Sequence, residues 1–309
     1  MVEKEKTEPV YVGKYQFDPN CPALGSGMCG TVFKGFETAN SNNLVAIKLI
    51  KKSTLEANKT ELEFIQREAD ILKKIRGRNI LECKEALNID GNLYIVTEYC
   101  KDGNLERIML KEGITVEKAL VVLKQIAMAF YETESLKLIG SDGNLLTIMH
   151  RDIKPANILL REGVAVLADF GYAKFINAAN KTARDDHTKL GTPAYMSPQL
   201  LVGEDYSFKC DVWSMGIVTY ELIFGTRPWS GENKFLIRSN IRSKALTFPK
   251  EIPQEVQDLL KSMLAEKEDD RPDWKEILDH KALASIPLSE NKKKTIRIIG
   301  VEFNSSYQK

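Results

Sequence analysis

A glycine-rich loop near the amino end of the chain is followed directly by a strand-like segment. Residues 25–30 read GSGMCG and fit the pattern G-x-G-x-x-G, in which glycine lets the backbone approach a phosphate group without a Cβ clash. The dinucleotide-binding form of this pattern requires a helix directly after the loop. Residues 31–33 are instead Thr-Val-Phe, which favour a strand. The sequence therefore predicts a glycine hairpin that folds over phosphates, and it disfavours a nucleotide-dependent dehydrogenase.

The first third of the chain is rich in β-prone segments. These runs lie at residues 31–33, 44–47 and 93–96. Residues 40–43 (NSNN) predict a turn between the first two, and Asp90-Gly91 predicts a hairpin before the third. One helix is expected in this region, because residues 60–75 carry apolar side chains at helical spacing.

Helical patterns dominate after residue 104. Residues 120–130 place apolar side chains on one helical face, and residues 211–224 are apolar on nearly every side, as in a helix buried in a larger core. We therefore expect an α+β, bilobal fold. The chain divides into an extension (residues 1–14), a small β-rich lobe (15–97), a hinge (98–104), a mainly helical lobe (105–285) and a tail (286–309). A cleft between two such lobes is a favoured ligand site.

Composition excludes several classes of protein. Among 309 residues, 44 Lys and Arg oppose 43 Asp and Glu, and this balance disfavours nucleic acid as a partner. The longest apolar stretch, residues 212–225, contains Glu221 and is too short to span a membrane. No secretory signal is expected from the charged first six residues, and no structural zinc site from three histidines without a CxxC pair. We expect a cytoplasmic protein, with the nucleus not excluded.

Two further segments bear on phosphate chemistry. Lys48 ends an apolar strand in residues 45–48 (VAIK), where a lysine is most often only an edge charge. Glu68 lies on the predicted helix, where a solvated carboxylate is the ordinary interpretation. A pairing of Lys48 with Glu68 would instead fix the ammonium group so that it faces phosphate oxygens.

The strongest signal comes from residues 150–157 (HRDIKPAN) followed by residues 169–171 (DFG). With the glycine loop and the VAIK segment, they match the signature set of eukaryotic protein kinases in order and spacing. The resemblance covers residues 15–285, which would form one kinase domain. It implies an ATP-dependent transfer of phosphate to protein substrates. A pseudokinase that acts as a nucleotide-binding scaffold is the alternative, and it is disfavoured because the chemically required residues are present.

The resemblance implies specific catalytic roles. Asp152 would be the base that accepts the proton of the substrate hydroxyl, and Asn157 with Asp169 would hold two Mg²⁺ ions. Lys154 would contact the γ-phosphate, and Lys48, paired with Glu68, would contact the α- and β-phosphates. Lysine at position 154 is typical of the serine/threonine kinases, so the expected acceptors are Ser and Thr hydroxyls.

The same resemblance implies an ATP-binding set. Besides Lys48, Asn157 and Asp169, its members are Leu24, Gly25, Ser26, Gly27, Gly30, Val32, Ala46, Thr97, Glu98, Cys100, Asn104 and Leu159. The backbone of Glu98 and Cys100 would bond to adenine, and Asn104 stands where many relatives carry a ribose-binding carboxylate. Thr97 matches the gatekeeper position.

Regulation is expected at Thr188, which matches the position of an activating phosphate. An upstream kinase or a second copy acting in trans would add this phosphate, and Arg151 with Lys174 are the matching cations. The subfamily resemblance is to autophagy-initiating, calcium/calmodulin-dependent and Aurora-like kinases, with a lean to the autophagy-initiating kind.

Three features depart from the family pattern. Gln199 replaces a glutamate that usually pairs with an arginine, here Arg271, so we expect altered local stability rather than lost catalysis. The segment 131–149 is longer than usual and is expected to include an exposed loop. Glu221 matches an acidic position of basic-directed kinases, but Ala156 replaces a second one, so a strong arginine preference is doubtful.

Overall fold

A computed structural model describes residues 8–27, 30–53, 75–111, 114–135, 138–139, 145–177 and 191–286. Most of the predicted helix at residues 60–75, including Glu68, lies outside the described residues. Thr188, Cys29 and the tail beyond Ile286 also lie outside them.

The amino-terminal lobe is built on one antiparallel sheet. Its strands are β1 (Val10–Val12), β2 (Tyr15–Phe17), β3 (Gly25–Gly27), β4 (Gly30–Glu37), β5 (Asn40–Ile50), β6 (Cys83–Ile89) and β7 (Asn92–Glu98). The strand order is β1-β2-β4-β5-β7-β6, and β3 pairs with β4. The three β-prone runs of the sequence are confirmed as parts of β4, β5 and β7. The small β-rich lobe is therefore as predicted.

One apolar cluster of this lobe includes residues of the first strand of the sheet. Val12 and Phe17 are almost completely buried, and they belong to the same apolar cluster as Ile47. The ordered sheet therefore begins at Val10, inside the segment expected to be an extension.

The turn predicted at residues 40–43 is wrong. Strand β5 already begins at Asn40, and the turn lies two residues earlier, at Thr38 and Ala39. Residues 40–43 are exposed, where asparagine side chains remain solvated while Asn43 donates to Glu37 over 3.0 Å. The predicted hairpin at Asp90-Gly91 is confirmed, with φ angles of 52° and 82°.

The second lobe is mainly helical. Its helices are α1 (Leu105–Lys111), α2 (Val116–Ser135), α3 (Pro198–Val202), α4 (Lys209–Phe224), α5 (Lys234–Ser243), α6 (Gln254–Met263), α7 (Trp274–Asp279) and α8 (Lys281–Ala284). The predicted buried helix is α4, and Phe130 of α2 stacks on Trp274 of α7 with ring centroids 4.6 Å apart. Among the described residues, no helix is long and apolar enough to cross a membrane.

Short strands line the helical lobe where it faces the sheet. They are β8 (Leu138–Ile139), β9 (Leu145–Met149), β10 (Ile158–Arg161), β11 (Val164–Leu167) and β12 (Lys174–Asn177). β10 pairs with β11, and β9 lies between β12 and β8. The extra pair β8–β9 belongs to the long segment 131–149, of which residues 136–137 and 140–144 lie outside the described part.

The two lobes are joined by backbone hydrogen bonds as well as by the chain. Leu81 donates to the Leu167 carbonyl over 2.9 Å, and Leu167 donates to Asn79 over 2.8 Å. On the other side, Leu160 donates to the carbonyl of Gly103 in the predicted hinge over 2.8 Å. These bonds hold the segment before β6 and the hinge against the β10–β11 hairpin. The fold confirms the bilobal α+β prediction and places a cleft between the lobes.

Candidate active site

Asp152 is the centre of a dense hydrogen-bond network at the floor of the cleft. Its side chain is 2% exposed and accepts from Lys154 Nζ over 2.8 Å and from Asn157 Nδ2 over 3.0 Å, both at Oδ2. At Oδ1 it accepts from both the backbone nitrogen and the hydroxyl of Thr192, each over 3.0 Å. The Thr192 hydroxyl in turn accepts from Lys154 over 2.9 Å. The network thus joins residues that the sequence separates by 40 positions.

Asp211 fixes the backbone that presents Asp152. The fully buried carboxylate of Asp211 accepts from the backbone nitrogens of His150 over 2.7 Å and of Arg151 over 2.8 Å. Burial raises the pKa of Asp211, and His150 and these backbone donors oppose the shift. Arg151 takes φ 66°, a left-handed conformation that costs free energy for a non-glycine residue and turns the chain towards Asp152. A buried helix thereby holds the backbone around Asp152 in place.

The ring of His150 connects this loop to residues 169–171. His150 Nδ1 accepts from the backbone of Asp152 over 3.3 Å, so Nε2 is the nitrogen that donates to the Ala168 carbonyl at 3.0 Å. The His150 ring meets the buried Phe170 ring edge-on, with centroids 4.8 Å apart. Cys83 lies in the same apolar cluster as Phe170.

Asp169 and Lys48 face each other across the cleft. The carboxylate of Asp169 is 42% exposed and lies 4.0 Å from the ammonium group of Lys48. Asp169 takes φ 64°, a strained conformation that turns its side chain while Phe170 stays buried. The predicted partner of Lys48 on the helix, Glu68, lies outside the described residues.

Asn157 and Asp169 have the chemistry required to hold Mg²⁺. Asn157 is buried and commits its amide nitrogen to the Asp152 backbone oxygen over 2.9 Å as well as to the carboxylate. Its side-chain oxygen is therefore the atom left for a cation. The backbone of Ala168 donates to Asn157 over 2.9 Å, which brings the neighbour of Asp169 against it. Carboxylate and amide oxygens, completed by substrate phosphate, are the ligands that Mg²⁺ prefers.

The glycine loop forms the roof of the cleft as a hairpin. Gly25 pairs with Val32, and Gly27 pairs with Gly30 across the turn. Gly30 has φ 145°, and a Cβ there would lie 2.4 Å from the Leu49 carbonyl oxygen, so this position needs glycine. The loop runs into strand β4 rather than into a helix, as the residues after it predicted. Leu24, Ser26 and Val32 belong to the same hairpin.

The back and the floor of the nucleotide cleft are apolar. Ala46 pairs with Thr97, whose hydroxyl is buried and lies 3.5 Å from the Ala46 carbonyl oxygen. Leu159 on the floor and Cys100 on the hinge pack against one apolar cluster. Burial, followed by the charge of Glu98, raises the pKa of the Cys100 thiol to about 12.

Glu98 has a role that its sequence position did not reveal. Its carboxylate accepts a close hydrogen bond from Arg161 Nη1 and another from the backbone of Glu82 over 3.1 Å. Arg161 also donates to the Arg78 carbonyl over 2.6 Å. The side chain of Glu98 therefore fastens the hinge to β10, and its backbone nitrogen donates to the Glu82 carbonyl over 3.0 Å. A contact of the Glu98 backbone with adenine stays a prediction.

Asn104 is engaged as a helix cap. Its side-chain oxygen accepts from the backbone of Arg107 over 3.0 Å, and its amide donates to the Ala156 carbonyl over 3.2 Å. A ribose contact by Asn104 stays a prediction. The guanidinium of Arg107 spans the cleft mouth and donates to the Leu24 carbonyl over 3.2 Å. Sequence reasoning missed Arg107, whose only local signal is its place three residues after the cap.

The departure at Gln199 is compensated by a different carboxylate. Gln199 Oε1 accepts from the buried Arg271 over 2.7 Å, and Glu268 lies 3.7 Å from the same guanidinium. Arg271 also donates to the carbonyl oxygens of Ala265, Glu266 and Lys209. Burial lowers the pKa of Arg271 to about 10. The chain therefore retains a partner charge for this arginine without the usual glutamate.

Comparison with known proteins agrees with the geometry. Residues 20–283 match the family model of the protein kinase domain. The chain belongs to the protein kinase family, as the four motifs predicted.

Curated relatives agree on the serine/threonine type of protein kinase. The chain is 31% identical to the serine/threonine-protein kinase ULK3 of Xenopus laevis, over 89% of this chain and 58% of that protein. It is 30% identical to the serine/threonine-protein kinase atg1 of Dictyostelium discoideum, over 88% of this chain and 39% of that protein. Human ULK1 is 29% identical, over 89% of this chain and 26% of that protein. The chain thus spans between a quarter and three fifths of the length of these relatives. The relatives confirm the predicted serine/threonine type and the lean to the autophagy-initiating kind.

Proposed function

We propose that the protein transfers the γ-phosphate of MgATP to Ser and Thr hydroxyls of protein substrates. The observation that carries this proposal is the buried Asp152 carboxylate, held by Lys154, Asn157 and Thr192 beneath the facing pair Lys48 and Asp169. Phosphoryl transfer needs positioning and charge neutralisation more than covalent chemistry, and this arrangement supplies both.

The reaction has one proton to relocate. The substrate oxygen forms a bond to the γ-phosphorus while the bond from that phosphorus to the β-bridging oxygen breaks, and Asp152 accepts the hydroxyl proton. A carboxylate offers about four acceptor positions, and four donors already occupy those of Asp152. The substrate hydroxyl must therefore take the place of one donor. Lys154 is the mobile choice, since its ammonium group can turn from Asp152 to the transferred phosphate.

Bound Mg²⁺ would neutralise the phosphate charge that develops during transfer. Asp169 and Asn157 would hold it, and Lys48 would orient the phosphates from the opposite side of the cleft. The strained backbone of Asp169 keeps its carboxylate in the cleft. The Asp152–Asn157 hydrogen bond keeps the metal-binding amide and the base in register.

Regulation by phosphorylation at Thr188 is part of this proposal, as is a cytoplasmic location. The charge of a phosphate would be compensated by Arg151 and Lys174. Either an upstream kinase or a second copy would add it. If a Thr188→Ala protein is as active as the phosphorylated parent, this part of the proposal is wrong.

The test is the transfer of radiolabelled phosphate from ATP to a generic basic protein. Asp152→Asn should lower the rate by roughly 10²–10⁴-fold, because it removes the general base and keeps the shape of the side chain. Asp279→Asn is the matched control, since Asp279 lies on the surface of α7 and pairs only with Lys275 among the described residues.

The pseudokinase alternative predicts a different outcome. A scaffold would bind nucleotide but give no transfer above that of the Asp152→Asn protein. Equal rates for the wild type and this variant, with nucleotide binding intact in both, would overturn the proposed activity.

A further inference from the structure

A short segment leads from the catalytic base to the end of helix α4. Thr192 contacts Asp152, and three residues later the Tyr195 hydroxyl donates to Glu221 on α4 over 2.7 Å. The Tyr195 carbonyl is fixed by the Ser214 hydroxyl over 2.8 Å. A substrate whose hydroxyl reaches Asp152 must lie against this segment. Residues beside its phosphoacceptor therefore pass close to Glu221.

Glu221 is shared between Tyr195 and an arginine. Arg227 Nε lies 4.0 Å from Glu221 Oε1, and the guanidinium of Arg227 sits over the Tyr195 ring, 5.5 Å from its centroid. We call Tyr195, Glu221 and Arg227 the ion-pair cluster. Helix α4 ends at Phe224, and the αL conformation of Gly225, with φ 74°, returns the chain so that Arg227 faces Glu221.

The charges of the ion-pair cluster cancel. The side chain of Glu221 is 14% exposed and that of Arg227 is 34% exposed, so the arginine is the more exposed member of the pair. Burial and the neighbouring Glu221 raise the pKa of Tyr195 well above its ordinary value, so its hydroxyl remains a neutral donor. A passing substrate meets one negative and one positive charge that already neutralise each other.

We infer that Arg227 is a specificity-determining residue. Its guanidinium takes the position beside Glu221 that a basic residue of the substrate would otherwise occupy. This inference rests on the proposed kinase function. The preferred substrates carry uncharged residues at the position that meets the ion-pair cluster. Arginine at that position gains nothing, because the carboxylate already has its cation.

The inference predicts opposite results for the two charged members. Arg227→Ala leaves the Glu221 carboxylate without its cation, so a basic residue in the substrate becomes favourable. Glu221→Gln leaves the Arg227 guanidinium without its anion, so an acidic residue becomes favourable. A purely structural role for either side chain would not produce preferences of opposite sign.

The experiment measures kcat/KM for a set of peptides with one serine in an otherwise neutral sequence. Arg or Glu replaces Ala singly at each of the positions flanking the serine. We expect the wild type to show an Arg-to-Ala ratio close to one at every position. In Arg227→Ala this ratio should rise about two- to five-fold at one position, the range of a partly exposed ion pair. In Glu221→Gln the Glu-to-Ala ratio should rise at the same position.

Arg242→Ala is the matched control, because Arg242 pairs with Glu266 over 3.3 Å rather than with Glu221. It should leave every ratio unchanged. If Arg227→Ala is too unstable to assay, Glu221→Gln, which has nearly the same shape as the parent, tests the same charge balance. A wild type that already prefers arginine, or variants whose ratios do not change, would overturn the inference. Absence of transfer to every peptide and to a generic protein would instead count against the proposed function.

Discussion

Arg271 shows how one residue type can be replaced in a buried charge network. Its guanidinium is fully buried, stacks 5.0 Å from the Trp213 ring centroid and contacts Gln199 and Glu268. Glu268 also accepts from the Ser207 backbone over 2.9 Å, so this carboxylate is held in place. A fixed carboxylate nearby lets an amide serve at position 199. Glutamine in place of glutamate at position 199 therefore changes the strength of one contact of Arg271 and keeps the network around it.

Two substitutions at position 199 should change stability in opposite directions. Gln199→Glu strengthens the acceptor for Arg271 but removes the Nε2 donor to the Glu266 carbonyl (2.9 Å), so we expect a net gain of less than about 1 kcal/mol in the free energy of unfolding. Gln199→Leu leaves Arg271 without this acceptor and should cost about 1–3 kcal/mol. Denaturant unfolding measures both, and kcat should change little in Gln199→Glu. Equal stability of all three proteins would show that the contact contributes nothing.

Cys100 should be an unreactive thiol although it lies beside the nucleotide cleft. With a pKa of about 12, almost none of it is thiolate at pH 8. Because the thiolate is the nucleophile, iodoacetamide should modify Cys100 at least about a hundred-fold more slowly than an ordinary free cysteine. The rate should rise about tenfold for each pH unit from 8 to 11. Mass spectrometry of the alkylated peptides gives the rates, with the exposed Cys21 as internal reference. Equally fast labelling of both thiols would contradict the expectation.

At the scale of secondary-structure elements, side chains connect pieces that the chain keeps far apart. Arg161 on β10 binds Glu98 at the end of β7, 63 positions earlier. Arg107 on α1 reaches Leu24 at the start of the glycine hairpin, 83 positions earlier. The Arg161–Glu98 contact joins the hinge to β10, and the Arg107–Leu24 contact joins α1 to the glycine hairpin across the opening of the cleft. Both restrict how far the roof can move from the floor.

Arg161→Ala should destabilise the hinge region. The side chain of Glu98 is 12% exposed, and loss of Arg161 would leave its carboxylate and the Arg78 carbonyl without this donor. We expect a loss of about 2 kcal/mol, between the values for exposed and for buried ion pairs. Lys101→Ala is the matched control, because its ion pair with Glu162 is 62% and 78% exposed. Its removal should cost less than about 0.5 kcal/mol. Similar losses in both variants would mean that the Glu98 contact is no stronger than a surface pair.

At the scale of the whole molecule, local patterns predicted the architecture well. The strand after the glycine loop, the buried helix α4 and the hinge near residue 100 were all predictable, since each depends on a few consecutive residues. The resemblance also assigned Lys154 and Asn157 to the same site as Asp152. The structure brings Lys154, Asn157 and Thr192 to that carboxylate.

Contacts between distant side chains could not be predicted in this way. Nothing near Arg227 in the sequence indicates that it turns back to Glu221, because that depends on how the chain leaves α4 at Gly225. The same holds for Arg107, whose partner lies on the other lobe. Asn104 also caps a helix, a role that the resemblance, which assigned this position to ribose, did not indicate.

Because the cleft joins both lobes, a bound nucleotide should stabilise the molecule as a whole. At a concentration about a hundred times its dissociation constant, ADP should add about 2.7 kcal/mol to the free energy of unfolding. Part of this gain should require Mg²⁺, since Asp169 presents a 42% exposed carboxylate towards the cleft that only a cation or Lys48 can neutralise. Thermal unfolding with ADP and Mg²⁺, and with ADP and EDTA, separates the two contributions.

Asp169→Asn should abolish the Mg²⁺-dependent part and leave the part due to ADP alone, because Lys48 and the glycine hairpin remain. Asp279→Asn, on the far surface of α7, should keep both parts. A Mg²⁺-dependent stabilisation of the same size in Asp169→Asn would show that the metal is held elsewhere. Since both variants remove one negative charge, a difference between them reports the position of the carboxylate in the cleft and not the net charge of the protein.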